Sequence, residues 1–204
     1  MRYVAGADEA GRGCLAGPLV VAAVCLDVTE RCGRDLADLN DSKQLNEDVR
    51  ERLFRAIVRR AAAFVVVVVS ADEIDRRGLH RSNLDGMASA LRALGDVPEV
   101  RLSDGFRLGQ YAPSHTAVTG GDGRSAAIAA ASVIAKVTRD RYMHRVAPRY
   151  PAYGFERHVG YITPEHTAAV REHGATPLHR RSFQAKAYMS PEELEALELL
   201  TASA

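Results

Sequence analysis

Between Ser125 and Ala135 the chain carries no charged side chain, and Ala126-Ala-Ile-Ala-Ala-Ala-Ser-Val-Ile-Ala135 is apolar on nearly every face when wound as a helix. A helix of that kind has to be enclosed by its own domain, so the fold must be built around it. The pattern continues to Val146 and is stopped by Pro148, which predicts a helix from about Arg124 to Val146. Ser125, Ser132, Lys136 and Arg139 fall on one face of it, at offsets 0, 7, 11 and 14. A lysine set among Ala, Ile and Val needs an anionic neighbour, either a site carboxylate or a bound phosphate. A narrow solvated stripe would have the same periodicity.

Short apolar runs alternating with helical patterns supply the enclosure. Tyr3–Ala7 and Leu19–Leu26 read as neighbouring strands joined through the Gly-rich turn at 11–17. Asn46 caps a helix whose apolar face is Val49, Leu53, Phe54, Ile57 and Val58. Phe64–Val69 is an almost unbroken β-branched run, which predicts a strand buried on both faces inside a covered sheet. Helices follow at Asp72–Arg77 and Arg81–Leu94, then strands at Glu99–Ser103 and His115–Thr119. Residues 148–162 read as an ordered loop; Thr163 caps a helix that begins with Pro164 and ends before Gly174. Ser190-Pro191-Glu192-Glu193 opens a short terminal helix. The sum is an α/β domain over residues 1–187, a central mixed sheet flanked by helices, with a C-terminal acidic helical extension at 188–204.

At 204 residues and 47% hydrophobic, the chain has apolar material for one core, which excludes disordered and fibrous classes. The longest apolar run, Ala61 to Val69, is too short to cross a bilayer, and Met1 to Asp8 lacks the apolar segment of a secretion signal; a cytoplasmic protein without a membrane role is expected. Cys14, Cys25 and Cys32 are odd in number and lack CxxC spacing, so reduced, partly buried thiols are expected in place of a disulfide framework or zinc site. The net charge of +1 hides an asymmetry: residues 1–123 carry 16 basic and 18 acidic side chains, residues 124–186 carry 11 and 4. The second stretch suits a polyanion, although an Arg-rich solvated surface would show the same bias.

Asp8, Glu9, Asp104 and Asp122 each sit at a predicted strand end beside a glycine-containing turn. Carboxylates gathered from several strand ends are what a hard divalent cation requires. Singly, each has a structural reading, since Asp-Gly is a common turn dipeptide and Asp122 could cap the following helix. Together, Asp8 and Glu9 between apolar stretches would be costly to bury without a cation or partner. Gly11-Arg12-Gly13 follows directly; glycines let the backbone approach a ligand, and Arg12 could reach a phosphate or sugar edge. It is no P-loop, because no Gly-Lys-Ser/Thr follows. Tyr150, Tyr153, Phe155 and Tyr161 are interleaved with Arg149, Arg157 and His158, a mixture that suits nucleic acid or a satellite core.

Asp8-Glu9-Ala-Gly-Arg-Gly, Asn40-Asp41-Ser42-Lys43, Asp104-Gly105, Asp122 with the Ile128-to-Asp140 helix, and Tyr153-Gly-Phe with Gly160-Tyr161 closely resemble, in order, the motifs of bacterial ribonuclease HII. The resemblance implies a ribonuclease H-like fold and an endonuclease that cuts the RNA strand of RNA/DNA hybrids and ribonucleotide-containing duplex DNA. It implies Mg²⁺ or Mn²⁺, two ions with substrate bound, held by Asp8, Glu9, Asp104 and Asp122, and a monomeric enzyme. It further implies that Gly11, Arg12 and Gly13 recognise the ribose 2′-hydroxyl, that Tyr161 packs on the neighbouring deoxyribose, and that Lys43, Ser132 and Lys136 contact phosphate or support the site. Two positions depart from the family pattern: Gly120, in Thr119-Gly120-Gly121 shortly before Asp122, and Val159, before Gly160, stand where a basic residue is common, each removing one possible cation near the substrate. Two rival readings are a hybrid-binding protein that does not cut and a nucleotide enzyme using Gly120–Gly123 as a phosphate loop.

Overall fold

The computed structural model describes residues 1–29, 36, 39, 45–110, 112–183, 186–190 and 192–193. Five strands, β1 (Tyr3–Ala10), β2 (Leu19–Asp27), β3 (Ala63–Val69), β4 (Val100–Asp104) and β5 (Thr116–Val118), form one sheet in the order β3-β2-β1-β4-β5. The first three are antiparallel neighbours, whereas β4 runs parallel to β1 and β5 parallel to β4. The sheet is therefore mixed, as expected, and the carboxyl ends of β1, β4 and β5 lie at the same edge.

Helices cover both faces. α1 (Glu47–Arg60) and α4 (Ala126–Val146) lie on one side, α2 (Ala71–Arg77) and α3 (Leu79–Ala93) on the other, and α5 (Phe155–His158) and α6 (Pro164–His173) pack beyond α4. Strand pleating sorts β2 between them: Val20, Ala22, Val24 and Leu26 face α1 and α4, while Leu19, Val21, Ala23 and Cys25 face α3. Asn46 caps α1 by accepting from the Val49 amide at 2.9 Å, a bond worth about 1 kcal/mol. Thr163 likewise accepts from His166 N at 3.1 Å at the start of α6. Ser190 and Glu193 exchange capping bonds of 2.7 and 3.2 Å, although Pro191 and the remaining tail lie outside the described residues.

One strand assignment needs correction. The strand enclosed on both faces is β2, not Phe64–Val69: β3 is the sheet edge, with Phe64 41% and Val68 55% exposed. A β-branched run reports pleated geometry and cannot by itself report sheet position, which the pairing partners decide. Val58 is likewise exposed, leaving Leu53, Ala56 and Ile57 as the buried face of α1. The 148–162 segment holds short 3₁₀ turns and α5, and Tyr153 and Phe155 belong to the satellite core there. Cys14 and Cys25 are free and fully buried; Cys32 lies outside the described residues.

The apolar helix is enclosed as its composition demands: Ala127 to Ala135 are all buried. Its backbone rests directly on β1 at Gly6, where an added Cβ would stand 2.3 Å from the Ile128 nitrogen and 2.4 Å from the Ala127 carbonyl carbon. Gly6→Ala must therefore push α4 off the sheet. We expect a loss of about 3 kcal/mol from overpacking against backbone, read as a melting temperature lower by roughly 6–12 °C; an unchanged melting temperature would show that α4 is free to shift.

Candidate active site

The parallel register pairs Ala7 with Ser103, and its continuation sets Asp8 at the end of β1 beside Asp104 at the end of β4. In-register neighbours on adjacent strands share a face, so both project on the α4 side. Asp8 is only 3% exposed. Burial, the adjacent Glu9 charge and a smaller contribution from Asp104 push its carboxyl up to about 8, while a hydrogen bond from the Ser132 side chain and another from the Glu9 amide (2.7 Å) favour the charged form. α4, seated on Gly6, carries the Ser132 hydroxyl to Asp8.

Asp104 Oδ1 accepts from Gly121 N at 2.6 Å, which draws the 3₁₀ turn Gly121–Gly123 onto the end of β4 and brings Asp122 to the same sheet edge. Asp122 Oδ1 accepts from Gly123 N at 3.0 Å. The amide that a phosphate loop at 120–123 would offer is thus taken by a carboxylate, which removes the physical basis of the nucleotide reading. Among the described residues no three His, Cys, Asp or Glu side chains are gathered closely enough to enclose an ion. Asp8, Asp104 and Asp122 each keep an oxygen on a backbone amide. The donor set still fits a hard divalent cation, being all carboxylate oxygen around a carboxyl whose charge is penalised by burial.

The Gly-Arg-Gly turn adjoins this edge. Gly11 has φ +87°, and a Cβ there would meet Arg139 Nε at 2.0 Å, so only glycine fits; around Gly13 the space is open. Arg12 reaches back to Glu9, Nη1 to Oε1 3.9 Å, and lies 4.5 Å over the Phe106 ring. Tyr161 is 39% exposed, touches Cys14 of the turn, and stands 5.3 Å from Lys136 Nζ and 5.8 Å from the Arg139 guanidinium. Lys136 finds its anionic neighbour on its own helix, in Asp140 at 2.9 Å, so a site carboxylate or phosphate is not required to explain its burial. Lys43, with Asn40, Asp41 and Ser42, lies outside the described residues.

Arg139 shares the helical stripe of Ser132 and Lys136 but not a solvated surface. It is fully buried, donating to the carbonyls of Pro18 (3.0 Å), Val159 (2.8 Å) and Ala16 (2.9 Å). Val159, the family departure, adopts φ 42°, a left-handed conformation that is costly for a β-branched residue and is pinned by that contact. Periodicity reports which face a side chain shares, not whether another segment covers that face. His158, which the sequence groups with the aromatic loop, and His166 and His179, to which it gives no role, are buried and form a stacked and hydrogen-bonded group beneath Tyr161. Their spacing carries no metal or triad signature by which the sequence could have flagged them.

A mixed sheet with carboxylates at the ends of adjacent parallel strands, crossed by one buried helix, is the architecture of the ribonuclease H-like class. The family model for ribonuclease HII matches residues 5–186, and the chain belongs to that family. Ribonuclease HII of Mycobacteroides abscessus is 51% identical over 180 residues, 88% of this chain and 76% of that protein. That of Nocardia farcinica is 52% identical over 181 residues, 89% of this chain and 71% of that protein. Among solved structures, the ribonuclease H2 of Pyrococcus horikoshii superposes with a TM-score of 0.76 at 29% identity, covering 89% of this chain and 94% of that one.

Burial holds His166 and His179 down to about 4, below the value of about 6.5 for a free imidazole. Between those limits the unfolded chain binds protons the folded chain refuses, so stability complete above pH 6.5 is lost as pH falls toward 4. Asp8, raised to about 8, acts in the opposite direction over the same range, so the comparison must be by difference. We expect the stability gap between the wild type and His179→Gln to shrink by on the order of 1–3 kcal/mol from pH 7 to pH 4.5; a pH-independent gap would contradict the neutral pair.

Proposed function

We propose that this ribonuclease H endonuclease cuts the RNA strand of RNA/DNA hybrids and also incises duplex DNA at single embedded ribonucleotides, leaving 3′-hydroxyl and 5′-phosphate ends. The observation that carries the reading is the buried Asp8 carboxyl beside Asp104 and Glu9, a group whose ionised form is unfavourable there unless a cation accompanies it. Asp8, Glu9, Asp104 and Asp122 would hold Mg²⁺ or Mn²⁺, with Ser132 fixing Asp8. Two such ions, when bound, supply activation of a water and neutralisation of the leaving 3′-oxygen. Nothing further is needed from a nucleophilic Ser, Cys or His.

The remaining residues bind and orient. Gly11, Arg12 and Gly13 present backbone groups to the ribose 2′-hydroxyl, the one feature that marks a lone ribonucleotide in a duplex. Tyr161, between two cations and partly exposed, packs on the adjacent sugar, and Lys43 and Lys136 attract phosphate. An open surface suits this ligand, and the clefts of 670 and 630 Å³ lie beside α6, away from the carboxylates. No helix among the described residues is long and apolar enough to cross a membrane; separately, we propose that the enzyme acts as a cytoplasmic monomer.

The test is incision of duplex DNA carrying one ribonucleotide, with and without metal. Activity should require Mg²⁺ or Mn²⁺ and fall more than about 100-fold in Asp8→Asn; cleavage persisting in excess chelator would refute the metal site. Arg12→Ala should depress cleavage at the lone ribonucleotide more than cleavage of a continuous hybrid, and equal loss on both would refute its assignment.

A further inference from the structure

We propose that His179 and Arg180 form one positioning element that sets the Gly-Arg-Gly turn against Tyr161, and thereby the preference for a lone ribonucleotide over a continuous hybrid. The proposal rests on the reading of those two reader groups given above. Residues 178–180 lie along the turn through a single antiparallel bridge: Gly17 N donates to Leu178 O at 2.8 Å, Arg180 N to Leu15 O at 2.9 Å, and Ala16 bridges His179. The two side chains then reach in different directions.

Arg180 goes to the turn. It is fully buried, with Nη1 donating to Arg12 O at 3.1 Å and Nε and Nη2 to Gly17 O at 3.1 and 3.0 Å. One planar fork therefore fixes the separation of residues 12 and 17 across the turn, which a single ammonium could not span. Burial lowers its pKa to about 10, leaving the charge intact at neutral pH.

His179 goes to Tyr161, through His166. His166 Nδ1 lies 2.8 Å from the Tyr161 carbonyl, which can only accept, so Nδ1 carries the proton and Nε2 is an acceptor. His179 Nε2, 3.0 Å away, must then be the donor, and its Nδ1 accepts from Thr176 N at 2.9 Å. Both ends of the chain have fixed polarity, so one proton arrangement satisfies every bond. Tyr161 N in turn donates to His158 O at 2.9 Å, and His158 stacks on His166 at 4.4 Å. Adjacent residues thus tie down both reader groups, and displacement of either on the ångström scale costs catalysis on the substrate that needs both.

The test measures kcat and KM of the full chain on duplex DNA with one ribonucleotide and on a continuous RNA/DNA hybrid, with melting temperatures alongside. Arg180→Lys should lower the ratio of kcat/KM on the two substrates at least about tenfold, chiefly through kcat on the single-ribonucleotide duplex. His179→Leu should lower it similarly, and His179→Gln, whose amide replaces the Nε2–H donor, should restore it. The histidine pair leaves Arg180 in place and carries the test if Arg180→Lys does not fold. Parallel loss on both substrates in step with the melting temperature, or failure of Gln to outperform Leu, would overturn the proposal as mere scaffold. If Arg12→Ala lowers the ratio and these variants do not, only the positioning inference falls; if Arg12→Ala leaves the ratio unchanged, the reading of the turn falls first.

Discussion

The contact of the α4 backbone with β1 at Gly6 is the constraint from which the rest follows. Because no side chain intervenes, the helix axis is fixed at the minimum distance from the sheet, and each residue along α4 acquires a defined target. Two turns beyond the N-cap, Ser132 meets Asp8; two turns further, Arg139 meets the carbonyls of the Gly11–Pro18 segment. The alanine-rich composition is what permits so close an approach while keeping the helix enclosed. One helix thereby connects the carboxylate edge to the turn beside it.

The electrostatics of that edge run against the stability of the isolated protein. Burying Asp8 beside Glu9 and Asp104 raises the cost of its charge. Strain of this kind at a sheet end is how a protein keeps ligands ready for a cation. Arg139 and Arg180 illustrate the converse: both are buried cations, and both spend their donors on backbone carbonyls, so they organise the loops instead of neutralising the acidic edge.

Much of this was legible in the residues. The enclosed helix, the strands, the caps at Asn46 and Thr163, and the placement of Asp8, Glu9 and Asp104 at strand ends all follow from local chemistry, whereas Asp122 lies in a 3₁₀ turn beyond β5; the motif order is specific to one family. What local chemistry could not report was partnership over long separations. It assigned β3 an interior place because a valine run is equally compatible with an edge, and it left open which anion stands beside Lys136, which is Asp140 one turn away. It left His179 and Arg180 without work, since their partners at residues 12, 17 and 166 become neighbours only after folding.

The central proposal is that Asp8, Glu9 and Asp104 would jointly hold a divalent cation at the common end of β1 and β4. Anomalous diffraction from crystals of the protein soaked in Mn²⁺ addresses it most directly. The account predicts an anomalous peak within coordination distance of the Asp8 and Asp104 carboxylates and its disappearance in Asp8→Asn. A peak bound only elsewhere on the molecule, or one unchanged by that substitution, would contradict it.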